Sequence, residues 1–351
     1  MSEWLKQAGF SMREFKPPKP VLSKFMYDGD MQVLVGASGS GKSFLVIDIA
    51  LSLTCKDSWH GKTMENRPVI FINGEGFGAI LKRIKAYCIH HKINIDNSRL
   101  YFSETAADLF DDISSLKVLG EIKRIIDTWD SKENIKPVII IDTVARNFGA
   151  GNESFTSDMS VFINHVDDIR KTYKATIILV HHTGHDTGNR ARGSSALEAA
   201  ADTVYFVKTD ADGVMRVENK KSKDHEPPSP LSFKTTQIEL PWKDEDGNSE
   251  TSLVLELTDY TPPPKTAGLG KNQTRALNIL KQLNTKQQQN LINSGFNPDD
   301  CRVTIQDWKN EVMASDIFKS GSRQDFYKLK EALSKRKAIT VKDGYVYVSN
   351  V

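Results

Sequence analysis

Short apolar, β-branched runs alternate with segments of helical periodicity over most of the chain, from Met31 to about Leu257. Runs of this kind are typical of buried strands, and the periodic segments between them are typical of helices. The predicted strands are Gln32–Val35, Val69–Ile72, Leu100–Phe102, Val138–Ile141, Thr176–Val180 and Thr203–Val207.

The intervening segments predict helices at Lys42–Leu53, Ala79–His91, Leu116–Trp129, Ser157–Tyr173 and, as a short element, Ser195–Ala200. A regular alternation of strand and helix indicates an α/β fold with a mainly parallel sheet covered by helices on both faces. Three later runs have no helical segment between them, so we expect antiparallel strands at one edge of the sheet. These runs are Val214–Glu218, Leu231–Thr235 and Leu253–Leu257.

A change in composition marks a boundary after this α/β region. Residues 261–271 combine three prolines with two glycines, which is typical of a linker. Beyond it the periodicity predicts three helices, Thr274–Leu283, Thr304–Met313 and Ser322–Lys337. A hairpin that turns at Asp343-Gly344 follows them, and these elements together suggest a small winged-helix domain. We therefore divide the chain into an N-terminal arm (1–28), an α/β core (29–260), a linker (261–271) and a winged-helix-like domain (272–351).

Composition narrows the class of protein. The 351 residues carry a formal net charge of only +2, so nucleic-acid binding would require local basic patches or a channel formed by several copies. The three cysteines have neither the number nor the spacing of a zinc site or disulfide framework. The longest apolar runs are strand-sized, so we expect a cytoplasmic protein without membrane partners.

A phosphate-binding loop follows the first predicted strand and opens the first predicted helix, which is the context that this motif requires. Glycines let backbone N–H groups surround a phosphate, and the helix N-terminus adds partial positive charge. We expect Lys42 to reach the β- and γ-phosphates of ATP and the Ser43 hydroxyl to bind Mg²⁺. The nucleotide-binding residues are Gly36, Ala37, Ser38, Gly39, Ser40, Gly41, Lys42, Ser43 and the following Phe44.

Two carboxylates end neighbouring predicted strands. Asp142 follows Val138–Ile141 and would hold Mg²⁺, directly or through water. The next residue is Thr143, so the carboxylate that activates water must lie elsewhere. Glu75 is the best candidate, because it follows the strand Val69–Ile72 between two glycines.

Two histidines, His181 and His182, follow the strand Thr176–Val180. A metal pair of His181 and His185 lacks an evident third ligand. We expect one of the two imidazoles to hydrogen-bond near the γ-phosphate, and the alternative is a purely structural role at the strand end.

These motifs together resemble the RecA-like, DnaB-like replicative helicases, and specifically the RepA type of plasmids and phages. The resemblance covers roughly residues 25–257. It rests on the spacing of the loop, Glu75 and Asp142, and on Val180–Gly184 with the segment Arg192–Asp202 that follows. A further similar segment is Val217–Asp224. The resemblance implies a RecA-like P-loop NTPase core that works as a hexameric ring with ATP between subunits.

The resemblance also implies roles for particular residues. Glu75 would be the catalytic carboxylate, and His181 or His182 would sense the γ-phosphate. Lys221 and Lys223 would reach a neighbour's nucleotide, or Arg192 would supply the guanidinium that these lysines lack.

Two loops would face the central channel of such a ring, Asn147–Ser157 and Gly184–Ser194. The second contains Arg190 and Arg192, whose charge, repeated sixfold, would follow single-stranded DNA. Phe148 and Phe155 could stack on bases, although packing within their own domain is the commoner role of such residues.

The function that we predict is an ATP-dependent DNA helicase or translocase in phage or plasmid replication, a homo-hexamer that contacts replication partners. A basic surplus over residues 317–342 suggests that the C-terminal domain binds duplex DNA, with protein docking as the alternative. Two other functions remain open: a recombination mediator that coats single strands, and a nucleotide-gated DNA-binding regulator.

Overall fold

A computed structural model describes residues 8–129, 135–182, 195–210, 212–259, 270–315, 317–318 and 323–348. The chain divides into two compact units, Met1–Tyr260 and Thr261–Val351. The predicted linker lies almost entirely outside the described residues. Over the described part of the chain, no helix combines the length and apolar character needed to cross a membrane.

The first unit alternates strands and helices along the chain. Its elements are α1 Ala8–Glu14, β1 Pro20–Leu22, β2 Met26–Tyr27, β3 Met31–Gly36, α2 Lys42–Cys55, β4 Ser58–Trp59, β5 Lys62–Thr63, β6 Val69–Asn73, α3 Phe77–His91, β7 Leu100–Phe102, α4 Asp112–Ile126, β8 Val138–Asp142, α5 Val144–Asn147, α6 Thr156–Tyr173, β9 Thr176–His182, α7 Ala196–Ala200, β10 Thr203–Thr209, β11 Met215–Ser222, β12 Leu231–Lys243 and β13 Ser249–Leu257.

Within the described residues, nine strands form one sheet in the order β13-β12-β11-β10-β3-β9-β8-β6-β7. The six strands from β10 to β7 in this order run parallel to one another. The strands β11, β12 and β13 continue the sheet in antiparallel pairing at one edge. The predicted mainly parallel sheet with an antiparallel edge is therefore confirmed, and the strand before the phosphate-binding loop, β3, lies near its centre.

The central strands are continuous apolar runs because helices cover both faces of the sheet. Every residue of β3, β6 and β8 is buried. On one face, side chains such as Phe71 and Ile140 pack in a core with α2 and α3. On the other face, side chains such as Ile139 pack in a core with Phe162 and Val166 of α6. This double packing fixes the carboxyl ends of the strands, where the functional residues lie.

The segment before β3 differs from the predicted N-terminal arm. The side chains of Val21, Leu22, Phe25 and Met26 are buried, and β1 and β2 form a small hairpin. The Phe25 ring stacks on that of Tyr205 with centroids 4.3 Å apart. Residues 20–27 thus belong to the core, because their apolar side chains pack in the same buried cluster as Tyr205, which is far away in sequence.

Two helices, α4 and the first helix of the second unit, depart from their predicted bounds by three residues or more. The helix α4 begins at Asp112 rather than Leu116, because the Asp111 carboxylate accepts a hydrogen bond from the Ser114 N–H and caps it. In the second unit, the first helix continues to Asn293, whereas the apolar periodicity predicted an end near Leu283. Its polar last turns carry no apolar signal for a helix.

The second unit has its own core and, within the described residues, three helices and a three-stranded antiparallel sheet. Trp308 and Phe326 are among the fully buried side chains that join its helices. The predicted turn at Asp343-Gly344 is confirmed, since both residues have positive φ, +52° and +81°. Its elements are α8 Lys271–Asn293, a 3₁₀ turn Pro298–Asp300, β14 Val303–Thr304, α9 Ile305–Ala314, α10 Arg323–Lys335, β15 Ile339–Lys342 and β16 Tyr345–Val348.

Candidate nucleotide-binding site

The loop between β3 and α2 has a backbone that requires glycine at particular points. A Cβ atom on Gly36 would collide with the carbonyl oxygen of Val207, and one on Gly41 would collide with the Met215 side chain. Gly41 also has φ +88° and occupies the N-cap of α2, where it provides no side chain to cap the helix. The N–H groups of the first helical turn are therefore suited to a phosphate ligand.

The Lys42 side chain is folded over its own loop. Its Nζ donates hydrogen bonds to the carbonyl oxygens of Gly36 and Ala37 at 2.9 and 2.7 Å. It also contacts Nδ1 of His182 at 3.2 Å. Burial lowers the pKa of Lys42 to about 8. Phosphate oxygens are stronger acceptors for an ammonium group than these carbonyls, so the lysine is placed to exchange them for a triphosphate.

Asp142 ends β8 and faces the start of α2. Its carboxyl is buried, and the Ser43 hydroxyl hydrogen-bonds to it. Burial raises the pKa of Asp142 to about 6, while the Ser43 hydrogen bond and the positive charges of Arg83 and Lys42 act in the opposite direction. Among the described residues, its Oδ1 has no hydrogen-bond partner. A hard, oxygen-seeking cation fits this donor set, so Ser43 and Asp142 would hold Mg²⁺.

Glu75 lies beside Asp142 because β6 and β8 are adjacent parallel strands, with Asn73 paired to Asp142. The Asn73 side chain fixes the backbone of the turn. Its Oδ1 accepts from the Glu75 N–H at 2.9 Å, and its Nδ2 donates to the Glu75 carbonyl oxygen at 2.7 Å. The negative charge of Glu75 acts on both Lys42 and Asp142. The sequence-predicted residues Lys42, Ser43, Asp142 and Glu75 therefore meet at one edge of the sheet.

Arg83 also reaches this edge, and the sequence analysis did not single it out. Its Nη1 lies 3.8 Å from Glu75 Oε2, and its guanidinium lies 4.7 Å from the centre of the Phe44 ring. Phe44 is thus held beside the site by a cation–π contact. The available signal was an arginine in the second turn of the helix that follows the candidate catalytic carboxylate.

The two histidines differ in their surroundings, because consecutive residues of a strand point to opposite faces. His182 is paired in register with Gly36 and contacts Lys42. His181 is buried, and its Nδ1 lies 3.8 Å from Glu153 Oε2. Within the described residues, no cluster of histidine, cysteine and carboxylate side chains could hold a metal ion. His182 is thus the histidine that lies at the phosphate-binding loop.

Lys221 and Lys223 lie at the opposite end of the sheet from their own phosphate-binding loop. The strand β11 runs antiparallel to β10, so its start, Met215, adjoins Gly41, whereas Ser222 pairs with Thr203. Lys221 Nζ donates to the carbonyl oxygens of Glu198 and Ala199 at 2.7 and 2.8 Å.

Lys223 makes a matching set of contacts, with its Nζ 2.9 Å from the Ala200 carbonyl oxygen and 3.1 Å from Asp202 Oδ1. Both lysines therefore stabilise the C-terminal end of α7. Arg192 and the loop Gly184–Ser194 lie outside the described residues.

The two phenylalanines of the loop Asn147–Ser157 have different environments. Phe148 is buried, and its ring stacks between those of Phe110 and Phe162 at 5.9 and 5.2 Å. It belongs to the core and is not accessible to a nucleic-acid base. Phe155 is 59% exposed, directly before α6.

One comparison with known proteins matches this site. The model of a family described as "AAA domain" matches residues 2–188. The matched region contains the loop Gly36–Ser43, Glu75, Asp142 and both histidines. No curated protein matches the chain.

Proposed function

The chain belongs to this AAA domain family, and we propose that it couples ATP hydrolysis to movement along single-stranded DNA. Membership of the family identifies the first unit as a nucleotide-hydrolysing ATPase. The helicase or translocase activity, in replication of phage or plasmid DNA, goes beyond the family and is our inference.

The contact between Lys42 and His182 is the observation that carries this proposal. A ligand that draws Lys42 onto its phosphates changes the environment of His182 at the same time. The chain continues from His182 directly into the segment that contains Arg190 and Arg192. Nucleotide binding is thereby linked, through one side chain, to a basic segment suited to a DNA backbone.

Lys221 and Lys223 support assembly into a ring, which we propose to be a hexamer. Lys221 lies near the end of β11 and Lys223 directly after it, too far from the phosphate-binding loop to reach the triphosphate of their own chain. Positive charge at that end of the sheet can act on a nucleotide only if it belongs to another subunit. The proposed ATPase therefore completes its site between copies, with Mg²⁺ held by Ser43 and Asp142 and supplying charge neutralisation at the phosphates.

We propose that the second unit is a winged-helix domain that binds duplex DNA. Its helix α10 presents Tyr327, which is 49% exposed and lies under two ammonium groups, those of Lys309 at 4.9 Å and Lys330 at 5.5 Å. A basic helix face with an exposed aromatic ring suits contact with phosphates and sugars. Docking onto a replication protein is the alternative use of the same face.

The test of the main proposal measures ATP hydrolysis with and without single-stranded DNA of arbitrary sequence, followed by unwinding of a forked duplex. Stimulation together with unwinding is the expected result. Stimulation with filament formation and no unwinding would indicate a recombination mediator. Hydrolysis that responds only to one specific duplex would indicate a nucleotide-gated regulator, and both outcomes contradict a motor.

A further inference from the structure

Arg83 has a buried donor without an acceptor. Its Nη1 is inaccessible to solvent and, among the described residues, has no hydrogen-bond acceptor; the Oε2 atom of Glu75, with which it forms an ion pair, is 3.8 Å away. Buried guanidinium N–H groups in native proteins are nearly always paired. A donor left in this state beside a ligand site indicates that the ligand supplies the acceptor.

Three neighbours define where that acceptor lies. The guanidinium packs on the ring of Phe44, which directly follows Ser43. It forms an ion pair with Glu75 and acts electrostatically on the buried Asp142. Ser43, Glu75 and Asp142 are the residues assigned to Mg²⁺ and to the attacking water. The Nη1 donor therefore lies at the end of the site that would hold the terminal phosphate of a triphosphate. It lies away from the part of the site that ADP would also fill.

We propose that Arg83 is a catalytic residue of this ATPase, whose guanidinium donates to the terminal phosphate of a triphosphate bound in the same chain. The proposal rests on ATP hydrolysis at the loop Gly36–Ser43, and it is independent of movement on DNA.

The chemistry needs such a group. In hydrolysis the water oxygen bonds to the terminal phosphorus, the bond to the bridging oxygen breaks with its electron pair on ADP, and a water proton passes to Glu75. Negative charge spreads over the terminal phosphate oxygens and the bridging oxygen during this step. A planar guanidinium can donate to two of those oxygens at once, which an ammonium group cannot do in the same geometry. Arg83 is the guanidinium that the described residues of the same chain place beside Glu75, so it would make this contact in cis.

A different role is conceivable for the same ion pair, namely that Arg83 only holds Glu75 in position. The two roles differ in what they predict for binding. A terminal-phosphate contact distinguishes a triphosphate from ADP, whereas a positioning role changes turnover and leaves the affinities for both nucleotides equal to those of the wild type.

The experiment compares Arg83→Gln and Arg83→Lys with the wild type in the absence of DNA. Dissociation constants are measured for ADP and for a non-hydrolysable ATP analogue, and kcat is measured with ATP. For Arg83→Gln we expect the affinity for the analogue to fall about tenfold or more, which corresponds to one charge-assisted hydrogen bond. The affinity for ADP should change by less than about threefold on the same scale, and kcat should fall about 10²-fold or more.

Lys82→Ala is the matched control, because Lys82 precedes Arg83 on α3 and pairs at the surface with Glu250 at 2.6 Å. It should leave all three quantities unchanged. Arg83→Lys keeps a positive charge, so its affinity for the ATP analogue and its kcat should lie between those of Arg83→Gln and the wild type. If Arg83→Gln does not fold, the same affinities and kcat are compared between Arg83→Lys and the wild type.

Several results would overturn the proposal. Equal losses of affinity for ADP and the analogue would place Arg83 at another part of the nucleotide. A lower kcat with both affinities unchanged would leave only the positioning role. Recovery of activity on mixing Arg83→Gln with Lys42→Ala subunits would place Arg83 at a neighbour's site. If the wild type itself does not hydrolyse ATP, the assignment as an ATPase fails before the role of Arg83 is reached.

Discussion

The ammonium nitrogen of Lys42 lies 3.2 Å from Nδ1 of His182, and the two residues are 140 positions apart in the chain. A protonated lysine has only donors, so this contact is a hydrogen bond in the imidazole tautomer that leaves Nδ1 unprotonated. The phosphate-binding loop and the end of β9 are thereby joined through one bond that a triphosphate must replace.

His182→Ala tests this connection. We expect the variant to keep basal ATP hydrolysis within about tenfold of the wild type and to lose most of its stimulation by single-stranded DNA, because the side chain that senses Lys42 is gone. His181→Ala is the comparison, since His181 is buried away from Lys42 and its loss should mainly lower the midpoint of thermal unfolding. Normal DNA stimulation in His182→Ala would contradict the proposed link.

Glu75→Gln should separate nucleotide binding from hydrolysis. The amide keeps the shape of the side chain and cannot accept the water proton, so we expect a loss of about 10²-fold or more in kcat with little change in ATP affinity. Lys42→Ala should lose both binding and hydrolysis. Glu104→Gln, at an exposed position, serves as the control. Hydrolysis by Glu75→Gln at the wild-type rate would assign the base to another group.

Lys221→Ala tests whether the site is shared between subunits. Mixtures of variant and wild type should show less ATPase activity than the weighted mean of the two, because each variant subunit weakens its neighbour's site. Lys234→Ala changes an exposed lysine of β12 and serves as the control. The ATPase activity of its mixtures with wild type should equal the weighted mean and so vary linearly with the fraction of variant. A linear dependence for Lys221→Ala would restrict this lysine to its observed role at the end of α7.

The surroundings of Asp30 should make the folding stability of the protein depend on pH. Burial, followed by the charge of Asp202, raises the pKa of the Asp30 carboxyl to about 7. Because the folded protein favours the neutral form, the stabilising contribution is complete below about pH 4, the usual range of an aspartate in an unfolded chain, and is lost as the pH rises through about 7.

Asp30→Asn should therefore be about as stable as the wild type at pH 4. Between pH 4 and 7 its stability relative to the wild type should increase, because the wild type becomes less stable over this range. Above pH 7 the difference in stability should stay constant. Denaturant midpoints at pH 4, 6 and 8 measure the difference. Asp57→Asn, at an exposed position, should show no such trend, and a constant difference for Asp30→Asn would contradict the prediction.

Removal of residues 261–351 should leave the ATPase intact, because the first unit has its own cores. We expect basal kcat within about twofold of the full chain, a change too small to indicate a lost transition-state contact. Binding of duplex DNA, measured by fluorescence anisotropy, should decrease if the second unit provides it. Loss of basal hydrolysis in a folded truncated protein would show that the units are functionally coupled.

Much of the fold could be predicted because its signals are local. The parallel strands are continuous apolar runs, and the antiparallel strands have no helical segments between them. Asp343-Gly344 could be identified as a turn because Asp-Gly readily adopts the positive φ angles of a tight hairpin turn. The hairpin of residues 20–27 could not be predicted, because Phe25 acquires its role only by stacking on Tyr205, 180 residues later. This part of the chain is rich in proline and has few apolar residues, so it shows no periodicity that would indicate its packing partner.

The phosphate-binding loop was determined by the sequence alone. Its backbone conformation, its lysine and its hydroxyl come from consecutive residues, so no distant contact is needed to identify it. The order of the strands was decided only in three dimensions, and with it the choice of His182 over His181, the approach of Arg83 to Glu75 and the position of Lys221 and Lys223 at the far end of the sheet. The physical reason is that hydrogen-bonded pairing between strands distant in sequence sets which side chains meet, and a one-residue change of register would turn each of them to the opposite face.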